Sequence, residues 1–589
     1  DKALINVDRW YIEMHDLIQE MGLQIVREES IDEPERRSRL WDSTEIYDVL
    51  DNNVGSRKVE GIKLDVSEIR DIHLEADVFK KMPNLRYLKF HSRFNLNRGS
   101  SHMHLPKGLK FLPNKVRYLE WYGFPLKSLP STFCPKKLVK LYMPNSHLQK
   151  LWNGVQDLVS LQEIDLSGST QLQELPDFSK CLNLKVVHLI HCDNLCYVHS
   201  SILSLHSLVE LNLFGCRKLR SLKSEIHLKS LEEIDVHSCY NLKEFSLSSE
   251  ELQSLRLGQT GIEILHSSVG RSIKLEELDL WGLRLVGLPN QLSCLTSLTI
   301  LRLSNCELID DLKLRAFFNG MLSLRVVQLD GCCNIIELPN NTKHLLGLEF
   351  LILRNCRRLF SLPELPPSIS CLDANYCESL EIVPSWRPLS GGSNNFSFVN
   401  CVQLNEQSLH NIMEAAFCVI YCESHESMKH MKNAYSITVP GSRVPKGFKY
   451  RAAQSYVVVE LPQISDLVDF FCCVVIGFNS EFHYDILLGS TCYLEGFGVE
   501  SSDQKRVNVR ETKNDHVYIW NDGCRVRWMA HKMRRGNQQL FANRKLCFKF
   551  TVTDYLGPGI DSSKVMIKGC GVWPMYASEC EKFVEQIEM

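Results

Sequence analysis

The chain has 589 residues, of which 44% are hydrophobic and 23% charged, and its formal net charge is −3. This length predicts several domains or a repeat array, and the charge balance gives no general attraction to nucleic acid or to an anionic membrane. The longest strongly apolar run, Phe470 to Phe478, has nine residues, less than half of what a membrane span needs.

Residues 13–30 predict an amphipathic helix at the start of the chain. Its apolar face would consist of Met14, Leu17, Ile18, Met21 and Ile25. His15 and Asp16 stand where this helix begins, and a polar pair at that place is also compatible with plain helix capping.

Three motifs in this region carry a family resemblance: Met14-His15-Asp16, Arg37-Ser38-Arg39-Leu40-Trp41 and Val59-Glu60-Gly61-Ile62-Lys63-Leu64-Asp65. They closely resemble the winged-helix-to-repeat junction of plant TIR-type nucleotide-binding leucine-rich-repeat immune receptors. The resemblance implies that His15 touches the phosphate of bound ADP, and that His15 and Asp16 form a latch for the inactive state. It assigns residues 1–58 to the end of the winged-helix domain and its linker.

The sequence contains no Gly-x-x-x-x-Gly-Lys-Ser/Thr phosphate loop, so we expect this chain alone to hold no nucleotide and no other cofactor. For a full-length receptor, the resemblance implies an ADP/ATP-binding domain and an NAD-cleaving TIR domain. Oligomerisation is then expected only through those N-terminal domains. The chain itself is predicted not to be an enzyme.

Residues 59–385 contain about 14 copies of a leucine-rich repeat with a period near 23 residues. In one copy, Leu161, Ile164, Leu166, Leu172 and Leu175 stand at offsets 0, 3, 5, 11 and 14. Offsets 3 and 5 share one face of a short strand, and a single repeat buries this face only by stacking on its neighbours. The pattern predicts an α/β leucine-rich-repeat solenoid, a horseshoe with a parallel sheet on its concave face.

Cysteines recur at offset 8 of the repeats, where a small residue packs inside the turn after the strand. They are Cys192, Cys216, Cys239, Cys306, Cys332, Cys356 and Cys377. This position predicts free thiols that fill the core in a reducing compartment, and it argues against a disulfide, redox or metal role.

The outward positions of the strands, at offsets 2, 4 and 6, are the candidate ligand-binding surface. Acidic side chains dominate it, with exposed aromatic side chains among them, a combination typical of binding anchors. The alternative is that these are ordinary solvated surface charges. The predicted binding residues are Tyr118, Tyr122, Tyr142, Glu163, Asp165, His188, Glu210, Phe214, Glu233, Asp235, His237, Glu277, Asp279 and Trp281. An acidic face predicts a partner with a basic surface.

Residues 386–589 follow the repeats, and the Ser/Gly/Asn-rich stretch Ser390 to Ser397 is typical of a linker or long loop. Seven runs rich in Val, Ile and aromatic residues predict a β-sandwich. They are Ala434–Val439, Tyr456–Leu461, Phe470–Phe478, Cys492–Val499, His516–Trp520, Leu546–Val552 and Val565–Pro574.

Three motifs in this region resemble the post-repeat jelly-roll (C-JID) domain of the same receptors: Val439-Pro440-Gly441-Ser442-Arg443-Val444-Pro445, Phe471-Cys472-Cys473-Val474-Val475 and Lys568-Gly569-Cys570-Gly571-Val572. The resemblance makes Ser442, Arg443 and Val444 candidate contact residues. The chain departs from the family at Arg443 and Lys446, where Glu is common, which puts an acidic contact from this loop in doubt.

Two further groups of residues invite a chemical interpretation and fail on inspection. His425-Glu426 with His430 imitates a zinc-protease helix, but histidines five residues apart do not share one metal-facing edge, so no metal site is predicted. The basic run that includes Arg534 suggests nucleic acid, but a solvated loop is the favoured interpretation because no stacking platform accompanies it.

The family resemblance favours one function over three alternatives. It implies a cytoplasmic or nuclear module that recognises a pathogen effector or a guarded host protein and restrains its own nucleotide-binding domain until binding releases a switch. The main alternative is a constitutive scaffold or adaptor that binds a host protein. An enzyme lacks a recognisable nucleophile, phosphate loop or metal cluster, and a cell-surface receptor lacks a membrane span and a signal segment.

Overall fold

The computed structural model describes residues 5–7, 12–69, 71–92, 103–286, 289–388, 395–426, 436–460, 467–478, 486–494, 500–507, 514–521, 545–554 and 565–576. The chain divides into two compact units. Unit 1 consists of residues 1–279 and 286–295, and unit 2 consists of residues 280–285 and 296–589.

Unit 1 begins with a small helical segment. Its elements are β1 (Ile5–Val7), β2 (Ile12–Met14), α1 (Asp16–Glu28), a 3₁₀ turn (Pro34–Arg36), β3 (Arg39–Leu40) and α2 (Ser43–Asp51). Helix α1 lies inside the predicted range, and its residues Leu17, Met21 and Ile25 are exposed. Arg37 is buried and donates hydrogen bonds to the Glu45 carboxylate at 2.6 Å and to two backbone carbonyls, so it fastens the segment between α1 and α2.

The rest of unit 1 is a ladder of short parallel strands, which confirms the predicted leucine-rich-repeat solenoid. The strands are β4 (Gly61–Asp65), β5 (Ile72–His73), β6 (Tyr87–His91), β7 (Met103–His104), β8 (Tyr118–Trp121), β9 (Lys140–Tyr142), β10 (Glu163–Asp165), β11 (Val186–His188), β12 (Glu210–Asn212), β13 (Ser221–Lys223), β14 (Glu233–Asp235), β15 (Glu244–Ser246), β16 (Ser254–Arg256) and β17 (Glu277–Asp279). The main sheet pairs β3, β4, β6, β8, β9, β10, β11, β12, β14, β16 and β17 in that order, all parallel. The inward residues Ile164 and Leu166 are buried, as are their equivalents.

Three features of the turn after the strand recur along the repeats. The offset-4 carboxylate or amide of several repeats, such as Asp165, accepts a hydrogen bond from the amide two residues later, here Ser167 at 2.8 Å. The offset-7 residue adopts positive φ in every repeat from Val116 to Ile369, as in Gly215 at 74° and His191 at 56°. The offset-8 thiols are buried, and each donates to a carbonyl of the preceding repeat, as Cys216 does to Leu189 at 3.1 Å.

Unit 2 opens with the same ladder of repeats. Its elements are β18 (Ile300–Arg302), α3 (Asp311–Phe318), β19 (Val326–Gln328), β20 (Phe350–Ile352), β21 (Cys371–Asp373), β22 (Asn395–Ser397), α4 (Glu406–Glu426) and β23 (Ser436–Pro440), and the strands pair in parallel in chain order. The ladder therefore continues past residue 385. Asn400 has φ 61°, and Cys401 donates to the Ala374 carbonyl at 3.0 Å, so residues around 400 repeat the turn geometry described above.

The remainder of unit 2 is a β-sandwich, as predicted. Its strands are β24 (Tyr450–Ala452), β25 (Tyr456–Glu460), β26 (Leu467–Phe478), β27 (Ile486–Leu494), β28 (Glu500–Val507), β29 (His516–Asn521), β30 (Lys545–Asp554) and β31 (Val565–Tyr576). One antiparallel sheet runs β23-β29-β26-β31-β24 and the other β25-β30-β27-β28. Phe470 and Phe548, from opposite sheets, meet in the buried core with their ring centroids 5.1 Å apart. In the described part of the chain, no helix is both long and apolar enough to cross a membrane.

Candidate protein-binding face

The outward side chains of the main sheet in unit 1 fall into two rows because its strands are parallel and in register. Offset-2 residues form one row, in which Glu163 of β10 is followed by Val186, Glu210, Glu233, Ser254 and Glu277. Offset-4 residues form the other, in which Asp165 is followed by His188, Asn212, Asp235, Arg256 and Asp279. The structure therefore brings most of the predicted binding residues of unit 1 together on one surface, called here the outward face.

Three tyrosines stack at the N-terminal end of the outward face. The rings of Tyr87 and Tyr118 are parallel with centroids 4.7 Å apart, and Tyr142 meets Tyr118 edge-on at 5.7 Å. Tyr122 lies just beyond β8 and is half-buried, which raises the pKa of its hydroxyl. Tyr87 had no place in the sequence prediction, although it stands at the same offset as Tyr118 in the looser repeat that begins at Leu85.

Lysines pair with the acids next to these tyrosines. Lys89 lies 2.8 Å from the Glu120 carboxylate, and Lys140 lies 2.8 Å from the Glu163 carboxylate. The same two carboxylates accept hydrogen bonds from the hydroxyls of Tyr118 and Tyr142, respectively. Burial, reinforced by these carboxylates, raises the pKa of both tyrosines, so they remain protonated donors. Lysines thus balance the acids at this end of the outward face.

The centre of the outward face holds a histidine–carboxylate pair. His188 Nε2 lies 2.8 Å from Glu210 Oε1. The hydrogen bond to Glu210 raises the pKa of His188, and the same bond lowers the pKa of Glu210, so each partner favours the charged form of the other. Neither side chain is an isolated surface charge.

The most acidic part of the outward face lies around β14. Glu233 is an exposed residue whose carboxyl is still partly desolvated. This desolvation, followed by repulsion from Glu210, raises the pKa of the carboxyl. Burial also raises the pKa of Asp235, whose carboxylate accepts from the His237 amide at 2.9 Å. Arg256 lies 3.9 Å from Asp235 and 2.9 Å from Glu277, so the outward face carries its own counterion here.

Two predicted positions differ from their expected exposure or placement. Asp279 is only 8% exposed, so it is not a solvated charge. Trp281 belongs to unit 2 and is half-buried there. Phe214 and His237 are half-buried in unit 1, where their rings stack at 6.2 Å, and Phe214 also meets His191 edge-on.

The two predicted sites outside the outward face have simple local contacts. The Nδ1 of His15 accepts from the Leu17 amide at 3.3 Å, which caps α1, while Asp16 is exposed in its first turn. Their predicted contact with nucleotide stays a prediction. Ser442 and Arg443 are exposed, whereas Val444 packs against Gly571 of β31.

Among the residues that the structure describes, no three His, Cys, Asp or Glu side chains are grouped so as to hold a metal ion. His430 and the basic run around Arg534 lie outside the described residues, and so do the side chains of His425 and Glu426. The geometry therefore defines a leucine-rich-repeat protein whose sheet presents a mixed-charge, aromatic-bearing surface of the kind used for protein recognition.

Comparisons with known proteins place the chain more closely. Residues 1–30 match the profile of the winged-helix domain of disease resistance protein Roq1-like proteins, and residues 136–250 match that of the leucine-rich-repeat domain of endo-beta-N-acetylglucosaminidase EndoS. Disease resistance protein RPS6 of Arabidopsis thaliana is 31% identical over 97% of this chain and 53% of its own length. Disease resistance protein RML1B of the same plant is 34% identical over 80% of this chain and 41% of its own length.

The chain is a homologue of plant TIR-type nucleotide-binding leucine-rich-repeat disease resistance proteins over nearly its whole length, and it spans about half the length of these relatives. Among solved structures, a leucine-rich-repeat protein of Leptospira interrogans is similar at 18% identity, covering 62% of this chain and 89% of that one, with a TM-score of 0.36. The repeat fold rests on the strand register described above and not on this likeness.

Proposed function

We propose that this chain is the recognition and autoinhibition part of an intracellular plant immune receptor. The similarity to disease resistance protein RPS6 over 97% of the chain is the observation that carries the proposal. The outward face supports it, because aromatic groups beside charged groups supply both buried anchors and orientation in a protein interface. The bound partner would be a pathogen effector or a host protein that such an effector modifies.

Recognition would act by differential binding. A partner that binds the outward face better in an open receptor than in a closed one shifts the receptor toward the open state. The restrained element would be the receptor's own nucleotide-binding domain, which would hold ADP or ATP, and His15 and Asp16 would contribute the latch. This chain itself would do no chemistry and would act in the cytoplasm or nucleus.

The ion pairs on the outward face determine which substitutions are suitable tests of this proposal. Glu233 is exposed and feels the Arg256 charge without a close ion pair to it, so Glu233→Lys changes charge without breaking a buried pair. Trp281→Ala removes a half-buried aromatic side chain. Glu225→Lys makes the same charge change at an exposed position outside the outward face and serves as the matched control.

The test begins with affinity purification of partners on the full-length receptor, with and without infection, followed by affinity measurements across a salt series. We expect Trp281→Ala to weaken binding at every salt concentration by roughly 30-fold, the loss of about 2 kcal/mol typical of an interface anchor. Glu233→Lys should weaken binding chiefly at low salt, and Glu225→Lys should not change it. Unchanged affinity in both Trp281→Ala and Glu233→Lys would exclude these residues as binding residues, and equal capture without any signalling would favour a constitutive scaffold.

A further inference from the structure

A small polar cavity lies inside unit 2, where the last repeats meet the sandwich. It encloses about 170 Å³. Its floor consists of outward residues of β21, β22 and β23, and one wall is formed by Tyr518, Ile519 and Trp520 of β29. Thr438 of β23 is registered opposite Tyr518, so the two side chains lie on the same face of the sheet. The outward residues of β21, β22 and β23 within unit 2 thus line the cavity directly.

The charges in this cavity cancel. The Arg354 Nε lies 2.7 Å from Asp373 Oδ2, and Asp373 is 4% exposed. Burial raises the pKa of the Asp373 carboxyl, so a second carboxylate brought beside it would be repelled in a poorly solvated place. An incoming cation would be repelled by Arg354, which already neutralises Asp373. A neutral group is therefore the chemistry that the cavity accepts most readily.

The hydrogen-bonding groups of the cavity include unused donors. The Asn375 side-chain oxygen accepts from the Ser397 hydroxyl and the Val399 amide, both at 2.7 Å, and the Asn395 oxygen accepts from the Ser436 hydroxyl at 2.9 Å. The amide NH₂ groups of both asparagines donate to no described residue, and that of the exposed Asn395 is open to water. The Tyr518 side chain is 2% exposed, and its hydroxyl is also without a hydrogen-bond partner in the described part of the chain.

A buried hydroxyl without a partner is costly, and its energy is recovered when a ligand supplies an acceptor. We infer that this cavity binds one neutral amide side chain, an asparagine or glutamine, of a partner protein. The partner in this inference rests on the proposed recognition function. The amide oxygen would accept from the unused donors, and the flat amide would lie against the aromatic wall of Tyr518 and Trp520. The cavity volume of about 170 Å³ exceeds by several-fold the space that one water needs, which leaves room for such a side chain.

The direct test uses small probes of matched size on the full chain. N-acetylglutamine methylamide, its glutamate counterpart and its lysine counterpart would be titrated by ligand-observed NMR. We expect the glutamine probe to bind in roughly the millimolar range, as its size allows, and the two charged probes to bind at least about tenfold more weakly. No saturable binding of the glutamine probe, equal binding of all three, or preference for a charged probe would overturn the inference.

A conservative variant separates binding from folding. Tyr518→Phe removes only the hydroxyl. We expect it to lower the affinity for the glutamine probe about fivefold, which corresponds to one neutral hydrogen bond, without lowering the melting temperature. Tyr456→Phe, at a 46% exposed position outside the cavity, is the matched control. It should leave the probe affinity and the melting temperature unchanged. A lowered melting temperature for Tyr518→Phe would mean that the hydroxyl is already satisfied, which contradicts the inference. If these probes do not bind, partner capture by the full receptor can still succeed. The inference about the cavity and the proposed recognition function are therefore tested independently.

Discussion

At the residue scale, the sequence predicted which side chains share the outward face but not how they are paired. The strand period is enough to place Glu163 and His188 on one surface. It says nothing about whether a lysine at the equivalent offset of the preceding repeat extends toward the acid, as Lys140 does toward Glu163. That outcome depends on side-chain rotamers and on the 4.8 Å spacing of neighbouring strands, about which the repeat pattern is silent. A charge count along the strip therefore does not show which acids are paired.

His516 provides a pH-dependent prediction at this scale. It is fully buried in β29, its Nε2 accepts from the Asn400 amide at 3.0 Å, and its Nδ1 lies 2.8 Å from the Asn514 carbonyl. Burial lowers the pKa of His516 to about 4. Between pH 6.5 and about 4 the unfolded chain takes up a proton that the folded chain refuses, so the free energy of unfolding falls as the pH falls.

We expect this one group to remove up to about 3 kcal/mol of unfolding free energy between pH 7 and pH 4. Urea unfolding at a series of pH values would measure the loss. His516→Asn should be less stable at neutral pH but should show a flatter dependence on pH. His410→Asn changes an exposed histidine on α4 and should keep the wild-type slope. An unchanged slope in His516→Asn would show that His516 does not control this dependence.

At the element scale, the sequence predicted regular elements well and irregular repeats poorly. The run Tyr456–Leu461 became β25 (Tyr456–Glu460), whose consecutive β-branched valines suit a strand and whose residues alternate between exposed and buried. The stretch Ser390 to Ser397, predicted as a linker, contains β22 instead. Phe396 and Phe398 occupy the inward offsets there, and the leucine that opens other repeats is replaced by Ser393, so the template failed. Helix α4 was not predicted, since its apolar residues follow a weak period.

The thiol column gives a prediction about a repeated element. Cys192, Cys216 and their equivalents are buried and donate to backbone carbonyls, and burial raises the pKa of Cys239 to about 12. Thiolate is the reactive form, so these thiols should resist alkylation by N-ethylmaleimide at about pH 8. Labelling should be limited to exposed cysteines until the protein is unfolded. Among the cysteines whose side chains the structure describes, the exposed ones are Cys134, Cys196, Cys294 and Cys333.

Mass spectrometry of peptides from native and urea-unfolded samples would locate the labels. The column thiols should all be recovered as free thiols after unfolding. Stoichiometric disulfides among them, or rapid native labelling of Cys216, would contradict both the core-filler interpretation and the expected reducing compartment.

At the scale of the whole molecule, the repeats make stability a sum of neighbour interactions. In the described part of unit 1, the repeat strands β8 to β12 pair with strands of the adjacent repeats, and the buried leucines lie between them. The repeat period could therefore be recognised in the sequence without knowledge of contacts between residues far apart in the chain. The sandwich shows the opposite behaviour, because its strand order β23-β29-β26-β31-β24 joins segments far apart in the chain. Its strands were predictable from composition, but their order was not.

Deleting one whole repeat tests this neighbour arrangement. Removing residues 184–207 joins Asn183 to Leu208 and keeps every offset in register. We expect a folded protein that still unfolds cooperatively but with lower stability, because one repeat and one interface are lost. Circular dichroism and a urea titration would measure both properties.

The control is a deletion of half a repeat, residues 184–195, which places His199 and Ser201 at the inward offsets. Polar groups would then be buried without partners, and this variant should lose cooperative unfolding. Equal stability of the two deletions would show that repeat register does not govern the fold of unit 1.

The pairing of β23 has a consequence for solubility. On one side β23 binds β22 in parallel, and on the other side it binds β29 antiparallel, so the last strand of the array has no open hydrogen-bonding edge within unit 2. Repeat arrays need a terminal cap, and an uncovered strand edge is a template for pairing with other chains. The sandwich thus also acts as the terminal cap that protects the array against self-association. A chain cut between β22 and β23 would lose this protection and expose the row of N–H and C=O groups on β22, whereas a cut inside unit 1 would leave the sandwich end of the array closed.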